Sequence, residues 1–258
     1  MTTAQGTRFK GKVALVTGGN AGIGLATALC FAMEGAQVVI AARRRTEGDA
    51  AVAQIRAAGG EATFVETDVT SAGSVSHLVD ACVARYGGLD IAFNNAGITG
   101  STASRIEEAD EALFDQVMAV NVKGTWLSMK YEIPAMLKRG GGSIINCGSG
   151  AAIRGGSGMA GAYYASKHAV MGMTRNIAVE CATRNIRVNA VLPGMVMTDL
   201  VARGFASNPE KLKLLCSRIP MARTGEPAEV AAAVLWLASG DSAYVTGTGL
   251  SVDGGITI

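Results

Sequence analysis

Short apolar runs alternate along the chain with longer segments in which apolar residues recur every three to four positions. KVALVT (Lys12–Thr17) is a nearly unbroken apolar run, the pattern of a strand buried on both faces. Gly22–Glu34 follows with helical spacing, placing Ile23, Ala26, Leu29, Cys30 and Met33 on one face. AQVVIAA (Ala36–Ala42) reads as a second strand. Thr46–Ala58 reads as a helix, with Thr46 as N-cap and Asp49 as its third-position acid. The alternation continues with a strand in GEATFVETD, a helix over Ser74–Tyr86 and a strand in LDIAFNNAG (Leu89–Gly97). One long helical stretch then spans Ala109–Leu137. Strand GSIINCGS (Gly142–Ser149), helix Ala162–Thr183, strand IRVNAVLPG (Ile186–Gly194), helix Pro227–Ala238 and strand GLSVDGG (Gly249–Gly255) complete the series.

Strands separated by helices of this length imply right-handed βαβ units, hence an α/β chain with a parallel sheet covered on both faces. In such sheets ligands lie beyond the carboxyl ends of the strands, where strand order reverses. The unusual polar and glycine residues do fall just after strands: Gly18–Gly24, Asp68, Asn94–Gly97, Ser149 and Pro193–Thr198. No linker or repeat divides the 258 residues, so residues 1–258 read as one domain. Apolar residues make up 49%, enough for a sizeable core, and a net charge of +2 gives no electrostatic case for nucleic acid or an anionic membrane. No apolar run is long enough to span a bilayer, and MTTAQGTRFKGK lacks a signal-peptide core. The five cysteines are scattered and the histidines number two, so no metal is expected and a reducing cytoplasm fits. Glycine, at 34 of 258 against a usual ~7%, points to tight turns and close backbone approaches.

Four of those glycines stand in TGGNAGIG (Thr17–Gly24), between the first strand and the first helix. Backbone N–H groups at a helix N-terminus attract phosphate, and glycine is needed where a ligand touches backbone. The spacing Gly18-x3-Gly22-x-Gly24 is neither GxGxxG nor a P-loop. In YYASK, Tyr163 and Lys167 are four apart and share a helix face, whereas Tyr164 faces differently. A phenol is a poor base at neutral pH, and a nearby ammonium favours its phenolate, making a general acid/base.

TGxxxGIG, NNAG and YxxxK in this order closely resemble the short-chain dehydrogenase/reductase family, over essentially the whole chain. The resemblance implies a single-domain, Rossmann-type doubly wound sheet of about seven parallel strands with helices on both faces. It implies a nicotinamide cofactor and hydride transfer to or from the carbinol carbon of a secondary alcohol or ketone. By the same resemblance Tyr163 passes the proton and Lys167 binds the ribose hydroxyls. Ser149 holds the substrate oxygen, with Ser157 as a weaker alternative. Asn121, in MAVNVKG, completes a water-mediated proton relay to the lysine; a mid-helix Asn invites such a reason. The cofactor set carried over is Gly18, Asn20, Gly22, Ile23, Gly24, Asp68, Val69, Asn95, Ala96, Gly97, Pro193, Gly194, Val196 and Thr198, with Tyr163 and Lys167.

The second strand ends IAARRR. Ala42 stands where an acid would bind a ribose 2′-hydroxyl and repel a 2′-phosphate, and Arg43, Arg44 and Arg45 follow. Three cations before a helix N-terminus are unfavourable unless an anion joins them. NADP(H) is therefore favoured over NAD(H), with Arg43 and then Arg44 as contacts, although the glycine loop itself offers only Asn20 and Ala21.

The substrate loops, Ile98–Arg105, Gly150–Ala162 and above all 195–219, carry Met159, Met195, Met197 and Phe205, and show no Arg/Lys pair obviously placed to clamp a carboxylate or phosphate. They suit a neutral, moderately apolar small-molecule alcohol or ketone, and leave a 3-oxoacyl thioester open. An epimerase of the longer-chain group is disfavoured by the glycine spacing and the short C-terminal region. A catalytically silent nucleotide-binding or regulatory protein would be expected to lose Tyr163, Lys167 or Ser149. A homo-oligomer, a tetramer by resemblance, would use Ala109–Leu137, Ala162–Thr183 and VDGGITI as contact surfaces.

Overall fold

The computed structural model describes residues 7–100, 105–156, 161–206 and 208–258. Ser157 and Met159, and parts of the loops that contain them and Ile98–Arg105, lie outside the described residues. Seven strands form one wholly parallel sheet in the order β3-β2-β1-β4-β5-β6-β7. They are β1 (Val13–Thr17), β2 (Gln37–Ala42), β3 (Glu61–Glu66), β4 (Ile91–Asn94), β5 (Gly142–Cys147), β6 (Ile186–Pro193) and β7 (Gly249–Val252). The order reverses between β1 and β4, which places the binding crevice beyond Thr17 and Asn94.

Period-two alternation along the strands builds two cores. Ala14 and Val16 of β1 and Val38 and Ile40 of β2 face α1 (Gly22–Met33), α2 (Arg45–Ala57) and α9 (Pro227–Ala238), meeting Phe31, Ile55 and Val234. Leu15 and Val39 face the other way, onto α3 (Ala72–Tyr86), α5 (Gly124–Lys138) and α6 (Gly161–Cys181), meeting Leu78, Met136 and Ala178. No helix among the described residues is long and apolar enough to cross a membrane.

Three expectations are corrected. Helix α2 begins at Arg45, with Arg44 at its N-cap and no side-chain cap, so Thr46 lies inside the first turn, whose acid is Glu47, and Asp49 lies beyond it. Arg45 instead reaches Glu66 at 3.1 Å and lies over the Phe64 ring, which draws the helix start forward. The stretch Ala109–Leu137 is not one helix. Asp110 caps α4 (Glu111–Val117) by accepting the Ala112 N–H, and one wide π turn, Met118–Lys123, precedes α5. Finally, the segment 195–219 is not simply a loop: it carries α7 (Asp199–Phe205), capped by Thr198, and α8 (Pro209–Cys216), capped by Asn208. Those caps satisfy orphan N–H groups of helices too short to announce themselves by periodicity.

Candidate active site

The site is assembled at the carboxyl ends of β1, β4, β5 and β6. Gly18 has φ +64, a left-handed conformation that an L-residue resists, and its backbone runs against Ala96: a Cβ there would stand 3.1 Å from Ala96 Cα. The approach is held by Thr17 and Asn95. The Thr17 hydroxyl accepts the N–H groups of Asn95 and Ala96 at 3.0 and 3.2 Å, and Asn95 Nδ2 donates to the carbonyls of Thr17 and Gly18, both at 3.1 Å. Asn95 therefore fastens the glycine turn to β4 with its side chain, and Thr17 is an organising residue that sequence reasoning did not single out.

Helix α1 opens with no side-chain cap and no acid in its first turn, leaving its first N–H groups without a protein side chain. Gly24 allows the turn to close, since a Cβ there would collide with Gly18 O. Gly22 faces Thr198, whose Cγ2 would lie 3.1 Å from a Cβ at Gly22. A narrow cradle with an uncapped helix N-terminus fits the pyrophosphate of a dinucleotide. Ile23 packs partly into the core and Asn20 is half-buried at the rim.

Asp68 and Val69 follow β3. Asp68 Oδ1 accepts the N–H and hydroxyl of Thr70, and the Thr70 N–H foremost, with Arg43 contributing, holds the Asp68 carboxyl below its usual range. Arg43 is thus electrostatically in range of Asp68, at one end of the crevice. Arg44 pairs with Glu47 at 2.8 Å and Arg45 with Glu66, so the exposed Arg43 alone of the three has no ion pair among the described residues. Val69 packs against the start of α5 at Gly124.

The Tyr163–Lys167 end of the candidate site rests on α6 and the π turn. Lys167 is 5% exposed, donates from Nζ to the Cys147 carbonyl at 2.7 Å, and stands 5.5 Å from the centre of the Tyr163 ring. Burying an ammonium is costly unless it is bonded, and the carbonyl at the end of β5 supplies that bond. Tyr164, by contrast, turns its hydroxyl against Gly156. Ser149 Oγ accepts the Ala151 N–H at 3.1 Å, capping a short 3-10 turn at Gly150–Ala152, and its hydroxyl proton has no acceptor among the described residues.

Asn121 sits in the π turn and is 1% exposed. Its Oδ1 accepts the Ile98 N–H at 2.8 Å, and its Nδ2 donates to Ile98 O at 2.9 Å and to Ser166 Oγ at 3.0 Å. Ser166 in turn donates to Tyr163 O at 2.7 Å. Both amide protons are spent and Oδ1 holds the Ile98 N–H, so Asn121 brackets the loop after β4 and the helix carrying Tyr163 and Lys167. The π turn was invisible in the sequence because its apolar spacing matches that of a helix.

Pro193 ends β6. Gly194 donates to Val252 O at 3.1 Å and lies so close to Asp253 that a Cβ would stand 2.8 Å from Asp253 Cα. Val196 is a core side chain whose backbone bridges Gly225. Thr198 Oγ1 accepts the Val201 N–H at 3.4 Å.

Elsewhere, a cleft of about 730 Å³ lies at the opposite, amino ends of the strands. Its cations are all bonded: Lys12 and Arg139 pair with Asp90, Arg8 pairs with Glu34, and Arg187 donates to Leu237 O, Ser239 O and Ser242 Oγ. Among the described residues no three His, Cys, Asp or Glu side chains cluster as a metal site requires.

The family model described as enoyl-(acyl carrier protein) reductase matches residues 18–257. The chain is 41% identical, over the whole of both chains, to an A-factor type gamma-butyrolactone 1′-reductase of Streptomyces virginiae. It is 41% identical to a 3-oxoacyl-[acyl-carrier-protein] reductase of Thermotoga maritima, over 97% of this chain and 100% of that one. It is 40% identical to a 2,5-dichloro-2,5-cyclohexadiene-1,4-diol dehydrogenase of Sphingobium indicum, over 97% of this chain and 98% of that one. The crystal structure of levodione reductase superposes with a TM-score of 0.92 at 35% identity, covering 97% of this chain and 99% of that one. The chain belongs to the short-chain dehydrogenase/reductase family. It is an oxidoreductase acting on CH–OH groups and the corresponding ketones, with a nicotinamide cofactor.

Proposed function

We propose that the protein, acting as one domain, is an NADP(H)-preferring reductase or dehydrogenase of a neutral, moderately apolar secondary alcohol or ketone. The observation that carries the reading is the buried Lys167 ammonium. It is fixed on Cys147 O beside Tyr163 and, across Gly97, beside the Asn121 bracket. A bound nicotinamide dinucleotide supplies the hydride chemistry. The protein's part is to position and polarise. Lys167 has further N–H groups with which to hold ribose hydroxyls. Ser149 donates its free proton to the substrate oxygen, and Tyr163 gives or takes the proton at that oxygen. Asn121 keeps Tyr163 and Lys167 in register through Ser166.

The pyrophosphate belongs at the α1 N-terminus, flanked by Gly18, Asn20, Gly22, Ile23 and Gly24, with Thr198 opposite. Asp68 and Val69 are read as neighbours of the adenine, and Ala96, Gly97, Pro193, Gly194 and the main chain of Val196 as the nicotinamide wall. Arg43 is the ligand for a 2′-phosphate, because Arg44 and Arg45 are already engaged. Half-buried Met195, Met197 and Phe205 supply apolar surface toward the substrate. The named lactone reductase and cyclic diol dehydrogenase support a compact substrate. The Thermotoga relative favours a 3-oxoacyl thioester as second reading. Exposed Phe114, Trp126 and Val179 on α4, α5 and α6 suit a cytoplasmic homo-oligomer, read as a tetramer.

Titration of the purified protein with NADPH and NADH, followed by cofactor fluorescence, tests the cofactor reading. Tighter NADPH binding that weakens in Arg43→Ala is the expected result. NADH preference unchanged by the substitution would overturn it.

A further inference from the structure

One residue below the cofactor turn, Thr17, Asn94 and Asn146 stand side by side in register on β1, β4 and β5. Asn94 and Asn146 belong to a polar chain buried between the sheet and two helices. Asn94 Nδ2 donates to Asn146 Oδ1 and to Glu132 Oε2 of α5, both at 3.1 Å. Asn146 Nδ2 donates to Thr174 Oγ1 of α6 at 3.0 Å and to the sulfur of Met129 at 3.5 Å, and Thr174 donates to Val170 O. Glu132, Asn146 and Thr174 have no exposed surface.

Counting donors exposes a deficit. The two amides and the threonine hydroxyl have each spent every proton they carry. Two buried oxygens of this network nevertheless have no partner among the described residues, Glu132 Oε1 and Asn94 Oδ1, and both are acceptors. They sit on the carboxyl and the amide already joined through Nδ2 and Oε2. One additional proton, on the carboxyl, would satisfy both, as in a cyclic acid–amide pair. A carboxylate there would leave both deficits and an uncompensated buried charge.

We propose that Glu132 is a neutral carboxylic acid whose proton completes this network, and that it is a positioning residue for the two turns that follow Asn94 and Asn146. The next residue after Asn94 is Asn95, which fastens the glycine turn; the next after Asn146 is Cys147, whose carbonyl holds Lys167. Both halves of the site are thus seated on two linked amides, of which Glu132 holds Asn94 directly and Asn146 through it. Burial pushes the Glu132 carboxyl up to about 8, only partly countered by Asn94's hydrogen bond, and no cation offsets its charge. The titratable side chain facing it is Cys82 of α3, a thiol pushed up to about 12 by burial foremost and then by Glu132. The other facing groups, Asn94 of β4, Asn146 of β5, Thr174 of α6 and Met129 of α5, do not titrate.

The role rests on the reading of the turn as a cofactor seat; the protonation state does not, and it is measured without cofactor. The infrared C=O band of a protonated carboxyl is recorded at pH 7, where the ordinary surface acids are ionised. The wild type should show the band and Glu132→Gln should lack it. Absence of the band in the wild type, or its persistence in the variant, overturns the neutral acid. For positioning, NADPH affinity is compared across pH in the wild type, Glu132→Gln and Glu132→Leu. Gln offers the same donor and acceptor without titrating, so its affinity should follow the wild type at pH 6 and be less weakened than it above pH 8. Leu should lose at least about tenfold at both, a factor that corresponds to one decade in Kd. A Gln profile parallel to the wild type's, or a Leu variant that binds as the wild type does, overturns the positioning role. If no form binds NADPH or NADH while the band is present, the cofactor reading fails, the positioning role falls with it, and the neutral acid stands.

Discussion

Replacing Gly18 with Ala separates two costs that the glycine turn combines. The backbone is at φ +64, and the left-handed region costs an L-residue roughly 1–2 kcal/mol. The added Cβ would also stand 2.9 Å from Asn95 Nδ2, 3.1 Å from Ala96 Cα and 3.2 Å from Ala96 N. The last two are backbone atoms, fixed by the Thr17 hydroxyl, so the facing turns must move apart by a few tenths of an ångström. Overpacking of that kind adds about 1–3 kcal/mol. Gly11→Ala is the matched control: its φ is +76, but nothing lies within 4 Å of the new Cβ. Urea unfolding should show a loss of about 1–2 kcal/mol for Gly11→Ala and about 2–5 kcal/mol for Gly18→Ala. Cofactor titration should show a weakening of about tenfold or more for Gly18→Ala alone, since the displaced Asn95–Ala96 segment lines the crevice. Equal stability and equal cofactor affinity in the two variants would refute the close-approach argument.

Arg43→Ala should weaken NADPH by roughly tenfold to a hundredfold, the loss of one charge-assisted bond, and leave NADH unchanged; parallel fluorescence titrations check it. Asn95→Ala removes two bonds to the glycine turn and should cost about 2 kcal/mol in urea unfolding, with weaker cofactor binding. The folded pKa of Glu132, raised from 4.5 to about 8, means that the native state keeps a proton the unfolded chain has lost. This contribution is fully present below about pH 4.5 and is lost as pH rises to about 8, at about 1.4 kcal/mol per pH unit; unfolding scans of the wild type against Glu132→Gln should differ by that slope.

The seven strands and the crevice were legible because buried strands and amphipathic helices carry different apolar periods, and because glycine and polar residues punctuate the strand ends. Tyr163 and Lys167 were legible because a spacing of four forces a shared helix face. What escaped was fixed by tertiary contacts. The π turn around Asn121 keeps helical spacing, and the side-chain bonds made from it, to Ile98 and Ser166, join residues far apart in the chain. The start of α2 was decided by Arg45 meeting Glu66 and Phe64, not by Thr46. The short helices α7 and α8 have too few turns for periodicity to show, and their caps, Thr198 and Asn208, are common in loops. The order Arg43 before Arg44 gains a physical reason only from the ion pair of Arg44 to Glu47. Glu132 gave no signal, since one acid in an amphipathic helix reads as surface.

Hydride transfer under control of Tyr163 is tested most directly by mixing the purified protein with NADPH and a panel of cyclic and acyclic ketones and a 3-oxoacyl thioester. The near-ultraviolet absorbance of reduced nicotinamide is followed for the wild type and for Tyr163→Phe. The account predicts substrate-dependent oxidation of NADPH by the wild type and loss of at least about a hundredfold in kcat for Tyr163→Phe, within the usual range for removing a general acid, while cofactor binding is largely retained. Near-normal turnover by Tyr163→Phe would contradict the account.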